Sequence, residues 1–321
     1  MASRLLLSLA IALFTLAMLG TQLEDTLVNI PPEIAYRMQV AVDDCVALAT
    51  FVSVTFDECD PVYLRFFPHD DAAFVQQVFR RIANIPPNVV LGPSDFAGIM
   101  QHRAAIGLDP RLVDLVITYG NHPQGQIQDC GTDEDPEAFF ALLNSGQPSV
   151  SICPQAFERY PDLMEILDPP AWARDAQGHP DPGFGCDGLG DHDSELMWCV
   201  GAILLHEILH YPDLFNDIPQ FDKLINFRGP RRSIGDFSGP SPPNGYGPYY
   251  SRVLQFLSAV RPGDYGPHEA INNADSYATY ALSVWWRWRC QRSFRESVTS
   301  MDAWLRDPPP RPFPPPPSVQ Q

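Results

Sequence analysis

Hydrophobic periodicity predicts two amphipathic helices in the first third of the chain. Apolar residues recur at helical spacing from Ile34 to Phe51 and from Ala72 to Ile85. Between these helices, the apolar run from Val62 to Phe67 predicts either a short strand or the start of the second helix. Two later runs, around Leu91 and around Val116, are rich in β-branched residues, which favour strands. We therefore expect helices followed by some strand content.

The middle of the chain is rich in Gly, Pro, Asp and Asn, which predicts loops. Only residues 139–143 and 149–152 are dense in apolar side chains there. A strongly apolar helix is then expected to begin near Ser194 and to end before Pro212, because proline cannot continue a helix.

A second loop-rich region follows, with one helix expected at residues 250–260. The last helix is predicted from about Glu269 to Ser293. Its tryptophans, Trp285, Trp286 and Trp288, are expected to pack in the core. These patterns together predict an α+β fold that is mainly helical with a small β region.

Both ends of the chain differ in composition from the rest. Residues 1–21 combine Arg4, an apolar run and small residues at the exit, which is typical of a secretory signal peptide. The run is too short for the roughly 20 apolar residues of a membrane span. Residues 307–321 are proline-rich and predict an extended, disordered tail. One domain is therefore expected at 22–306, in a secreted, extracellular protein.

Charge and cysteine content narrow the possible partners and the compartment. The net charge of −18 argues against nucleic acids and anionic membranes, because both repel an acidic surface. We expect a monomer without stable membrane association. An oxidising compartment predicts that most of the seven cysteines are bridged, with one left over.

The predicted apolar helix carries the motif HEILH at residues 206–210. Residues four apart share one helix face, so His206 and His210 can bind a single ion. Glu207 lies beside them and can act as general base on a water that zinc activates. The alternative is that both histidines are core residues satisfied by backbone carbonyls. Because a buried glutamate between them would be costly in so apolar a helix, we favour one catalytic zinc ion.

A catalytic zinc ion normally takes three protein ligands, so one more must come from elsewhere. The metzincin pattern fails, because Asp213 and Asn216 stand at its glycine and third histidine. Residue types alone leave several acids open as the third ligand. They are Asp213, Asp217, Asp222, Asp236, Asp275 and Glu269.

The order of three motifs resembles the deuterolysin, or aspzincin, family of fungal zinc metalloendopeptidases, which includes the peptidyl-lysine metalloendopeptidases. HEILH is followed by IGDFSGPSPPNGYG at 234–247 and by NADSYATYA at 273–281. More loosely, ICPQAF at 152–157 and DDCVALA around Cys45 are similar to upstream segments of the family. The resemblance therefore extends over most of the chain and implies a zincin-like metallopeptidase domain.

The resemblance implies roles for three further residues. Asp236 takes the position of the third zinc ligand, Tyr246 that of the tyrosine that hydrogen-bonds the oxyanion, and Asp275 that of an aspartate in the S1′ pocket. Asp236 and Tyr246 are ten positions apart instead of three. Ala278 replaces the second acid of the lysine-specific enzymes, which argues against lysine specificity.

These observations predict a hydrolase that cleaves protein or peptide substrates. The inserted residues motivate an alternative, a catalytically inactive secreted protein that acts as a binding or host-interaction module. The resemblance also favours a Cys130–Cys153 disulfide, and Cys199 is a candidate to bridge to Cys290. The other histidines are expected at the surface. They are His69, His102, His122, His179, His192 and His268.

Overall fold

The computed structural model has an α+β fold, as predicted, with one small sheet and a mainly helical remainder. The predicted signal peptide at 1–21 and the proline-rich tail at 307–321 lie outside the residues that the structure describes. Those residues are 27–28, 30–124, 130, 136–226 and 231–300.

The longest helix, α1 (Pro32–Thr55), extends beyond both ends of its predicted range. It is long and apolar enough to cross a membrane, but 78% of its most apolar window is buried inside the protein. A core helix passes the same test. The burial of Met38, Leu48 and Val52, each fully covered, indicates that α1 is the central helix of the core.

Two shorter helices follow α1. Helix α2 (Pro61–Phe66) begins at Asp60, whose side chain accepts a hydrogen bond from the Val62 N–H, so the apolar run at 62–67 forms a helix of its own. Helix α3 (Ala72–Ile82) ends earlier than predicted, and Asn84, two residues beyond its end, has a positive φ of 50°.

The prediction of a strand around Leu91 is wrong, because the chain there is irregular. The guanidinium of Arg80 donates to the carbonyls of Pro86, Pro87 and Val89, so the chain curls around this cation. Val90 is consequently 95% exposed. A buried arginine, rather than β propensity, determines the backbone here. Two short helices follow, α4 (Asp95–Gln101) and α5 (Arg103–Ile106).

The sheet contains four strands in the order β1-β2-β4-β3. Strands β1 (Leu27–Val28), β2 (Val116–Tyr119) and β4 (Pro148–Ile152) are parallel, whereas β3 (Ala138–Leu142) is antiparallel to β4. The strand predicted around Val116 is therefore confirmed. Within the described residues β3 forms one edge of the sheet. Three short helices follow β4 in the chain. They are α6 (Pro154–Arg159), α7 (Leu163–Leu167) and α8 (Gly185–Gly188).

The apolar helix α9 (Val200–Leu209) begins later than the predicted start at Ser194. Glu195 to Met197 form a separate 3-10 turn, and Trp198 and Cys199 are extended. The helix ends before Pro212, as predicted. Among the described residues, four α-helices lie between α9 and the last helix. They are α10 (Pro212–Phe215), α11 (Phe221–Leu224), α12 (Gly247–Val260) and α13 (Pro262–Tyr265).

The last helix, α14 (Ala274–Arg289), also begins later than the predicted Glu269. Asn273 is extended because it forms a parallel β-bridge with Gly235, which interrupts the helical pattern. Trp286 is fully buried, and its indole N–H donates to the Met197 carbonyl. The tryptophan-rich end of α14 therefore packs in the core, as expected.

The disulfides agree with the predictions only in part. Cys130 bonds Cys153, as expected, but Cys290 bonds Cys186 instead of Cys199. Cys199 is a free thiol directly before α9 and is buried within the hydrophobic core. Cys45 and Cys59 are free as well, so more than one cysteine is unpaired. The two disulfides indicate an oxidising compartment.

Candidate metal centre

Helix α9 is held close against α1 at Gly201. A Cβ at this position would lie 2.4 Å from the Asp44 Cβ and 2.9 Å from the Ala41 carbonyl oxygen. Only glycine permits this approach. The close packing positions the end of α9, which carries His206, Glu207 and His210, beside the start of α14.

Three side chains at the end of α9 and in the following loop converge on one point. The Nε2 atoms of His206 and His210 are 3.2 Å apart. The carboxylate of Asp236 lies 3.2 Å from His206 Nε2 and 3.5 Å from His210 Nε2. In a tetrahedral zinc site with bonds of about 2.05 Å, neighbouring ligand atoms are about 3.3 Å apart. The separations between these three side chains, the ligand group, are therefore close to those around a zinc ion.

The other ring nitrogen of each histidine is already engaged. His206 Nδ1 is 2.5 Å from Asp275 Oδ1, and His210 Nδ1 is 2.9 Å from the Ile234 carbonyl oxygen. Because both partners only accept, each ring donates from Nδ1 and keeps the lone pair of Nε2 for a metal. This is the tautomer that a zinc ligand requires.

The electrostatics of the group favour a positive charge at its centre. Burial disfavours a charged imidazole, but the carboxylates of Asp236 and Asp275 outweigh burial and raise the pKa of His206 well above its usual value. Burial likewise opposes ionisation of Asp236, but the facing imidazoles hold the pKa of that carboxyl below its ordinary range. A bound cation would compensate the negative charge of the two carboxylates in the same way as a protonated imidazole.

Glu207 is buried between α9 and β3. Its carboxylate is 3.9 Å from His210 Nε2 and accepts a hydrogen bond from the Phe140 backbone N–H. Burial raises the pKa of Glu207 above its usual value, although the neighbouring histidines oppose this. A carboxylate of raised pKa beside the ligand group is a suitable proton acceptor.

The residues inserted between Asp236 and Tyr246 form a closed loop. Ser238 and Asn244 form an antiparallel bridge, and the Gly245 N–H donates to the Phe237 carbonyl. The hydroxyl of Tyr246 consequently reaches Asp236 Oδ2 at 3.2 Å, despite ten positions of sequence separation.

Tyr246 lies next to these side chains and has 39% of its surface exposed. Partial burial and the adjacent carboxylate of Asp236 raise the pKa of its hydroxyl, so the hydroxyl keeps its proton at neutral pH. It can therefore donate a hydrogen bond at the open side of the ligand group.

Asp275, by contrast, lies behind the ligand group and is 3% exposed. One of its oxygens faces His206 Nδ1, and the other accepts from the Gly247 N–H at 2.5 Å. At this exposure Asp275 offers little surface to a substrate side chain, and the S1′ role that the resemblance implies stays a prediction.

The other acids considered as third ligand are engaged elsewhere or lie apart. Asp217 pairs with Arg81 and Arg111, and Asp213 pairs with Arg231. Of the acids in question, Asp236 alone belongs to the ligand group found among the described residues.

The expected surface position is wrong for His122, which is 3% exposed and stacks on Phe139 at a ring distance of 6.5 Å. The apolar surface of the neighbouring strand β3 covers its ring. His268 is partly buried and pairs with the buried Asp71 at 2.8 Å.

Sequence reasoning did not identify Asn273 or the backbone groups of Ile234 and Phe140 as parts of the centre. Asn273 lies within the NADSY motif, which was a usable signal, but backbone donors and acceptors leave none. A second group of possible ligands, Glu58, Cys59 and His69, has ligand atoms within 4.8 Å of one another but is exposed.

Comparison with known protein families finds no family model that matches this chain. Comparison with curated proteins finds no significant match either.

Proposed function

We propose that this protein is a secreted zinc metalloendopeptidase with a zincin-like fold, similar to the deuterolysin family. One observation supports the proposal most strongly: two imidazole nitrogens and a carboxylate lie 3.2–3.5 Å apart with a buried glutamate next to them. Structural zinc sites normally have four protein ligands, whereas catalytic sites have three and leave one position for water.

The donor set favours zinc over other common ions. Two imidazoles with one carboxylate suit zinc, whereas calcium and magnesium prefer oxygen ligands. A bound zinc ion would supply Lewis acidity, which lowers the pKa of water and polarises a carbonyl group.

The residues around the ligand group can carry out the remaining steps of peptide hydrolysis. Glu207 accepts a proton from the attacking water and returns it to the leaving amine. The hydroxyl of Tyr246 donates a hydrogen bond to the oxyanion that forms from the peptide carbonyl. His206, His210 and Asp236 would hold the zinc ion.

An extended peptide is the substrate that the surroundings favour. Strand β3 pairs on one side only among the described residues, and its Phe140 contacts the catalytic glutamate. The edge of a sheet can bind an extended chain through backbone hydrogen bonds. A peptide aligned there would present its backbone to Glu207.

The test is cleavage of an unfolded protein, such as reduced and alkylated casein, by the purified protein. We expect cleavage that a chelator abolishes and added zinc restores. Glu207→Gln should bind zinc normally but lose at least about 100-fold in rate, because it cannot accept the proton. Normal zinc binding without cleavage by the wild type would instead support the inactive binding module.

A further inference from the structure

The first residues of α14 contact the loop that carries Asp236. The Gly235 N–H donates to the Asn272 carbonyl at 3.2 Å, and the Ala274 N–H donates to the Gly235 carbonyl at 2.8 Å. These two bonds form a parallel β-bridge immediately before the metal-binding carboxylate. The position of Asp236 is therefore tied to the start of α14.

Asn273 connects the same point to the loop of Tyr246. Its buried side chain accepts from the Phe237 N–H at 3.1 Å and donates to the Gly245 carbonyl at 3.0 Å. A Cβ on Gly245 would lie 2.1 Å from the Asn273 side-chain oxygen, so only glycine fits there. One amide thus holds the residues next to Asp236 and Tyr246 together.

Asp275 completes the arrangement from the next turn. Its two oxygens bond His206 Nδ1 on α9 and the Gly247 N–H at the start of α12, both at 2.5 Å. The second bond fixes the backbone that follows Tyr246. The buried carboxylate of Asp275 therefore contacts both His206 and the backbone next to Tyr246.

We propose that Asp275 is a positioning residue, which orients His206 for metal binding and fixes the Tyr246 loop, and that it does not contact the substrate. This inference rests on the proposed function, because it assigns Asp275 a role at the same centre. It differs from the S1′ role implied by the resemblance. A carboxylate directed at a ligand histidine contributes to metal affinity, whereas a pocket carboxylate contributes to side-chain preference.

The experiment compares Asp275→Asn with the wild type. An amide cannot accept from both the imidazole and the Gly247 N–H, so one bond is lost. We expect the zinc dissociation constant to rise about 10- to 100-fold, as for other partners of metal-binding histidines. The ratio of kcat/KM for peptides with lysine or alanine after the scissile bond should stay unchanged.

Asp71→Asn is the matched control. Asp71 is another buried aspartate that pairs with a histidine, His268, and neither belongs to a ligand group found among the described residues. This variant should lower thermal stability without changing zinc affinity. If Asp275→Asn does not fold, Asp275→Glu replaces it, because it keeps the charge and displaces the carboxylate.

The outcomes separate the two proposals. Wild type that binds no zinc overturns the proposed function itself. Wild type that binds zinc and cleaves, together with unchanged zinc affinity in the Asp275 variant, overturns only the positioning role. A selective loss of cleavage before lysine at unchanged zinc affinity would show that Asp275 contacts the substrate.

Discussion

Gly201→Ala tests whether helix α9 packs against α1 as closely as the structure shows. Intrinsic helix propensity alone predicts that this change stabilises α9 by about 1 kcal/mol. The new methyl group, however, would lie 2.4 Å from the Asp44 Cβ and 2.9 Å from two backbone atoms of α1. Carbon atoms in contact are normally about 3.5–4.0 Å apart, so the helices must separate by about 1 Å.

Overpacking of this kind costs about 1–3 kcal/mol, which offsets or exceeds the gain in helix propensity. We expect a net loss of up to about 2 kcal/mol and a fall in Tm of up to about 8 °C. Gly98→Ala is the matched control, because Gly98 is an exposed glycine within α4 with open space around it. It should gain up to about 1 kcal/mol. Urea unfolding measures both, and a Gly201→Ala protein as stable as Gly98→Ala would refute the close packing.

Three further changes have defined outcomes. Burial raises the pKa of Glu195 from 4.5 to about 7, so ionisation destabilises the folded state progressively as pH rises between these values. The unfolding free energy of Glu195→Gln, measured in urea, should therefore rise by about 3 kcal/mol relative to that of the wild type between pH 4 and pH 8. A difference between the two proteins that does not change with pH would contradict the burial of Glu195. Joint replacement of Cys186 and Cys290 by Ser opens a 104-residue loop and should lower the unfolding free energy by about 2–5 kcal/mol. Unchanged stability would indicate that this disulfide does not form in solution. Gly245→Ala should weaken zinc binding through Asn273, and unchanged affinity in a calorimetric titration would count against that contact.

Local patterns predicted the elements whose determinants are local. The HEILH spacing specifies which side chains share a helix face, and α9 presents His206 and His210 together as expected. Helix α1 and strand β2 were likewise predicted from periodicity and β-branched content. In each case neighbouring residues determine the conformation.

The errors arise where a distant residue determines the backbone. Asn273 interrupts the predicted last helix because Gly235, far away in sequence, pairs with it. Arg80 donates hydrogen bonds to three backbone carbonyls, and the chain that binds it cannot form the strand predicted near Leu91. Pairing of Cys290 with Cys186 similarly depends on tertiary contact.

The choice of Asp236 as the proposed third ligand shows the same limit. Residue types left six acids open, and only the family resemblance favoured Asp236. The ten-position separation from Tyr246 cast doubt on that assignment. A closed loop removes the difficulty by bringing the Tyr246 hydroxyl to Asp236, and loop closure of this kind has no periodic pattern in sequence.

Zinc content of the purified protein tests the central claim most directly. Elemental analysis after dialysis should find one zinc ion per chain in the wild type and none in His206→Ala. Cys59→Ser serves as the control for the exposed Glu58, Cys59 and His69 group, and it should retain one ion. Equal zinc content in wild type and His206→Ala, whether near zero or near one, would contradict a metal centre formed by His206, His210 and Asp236.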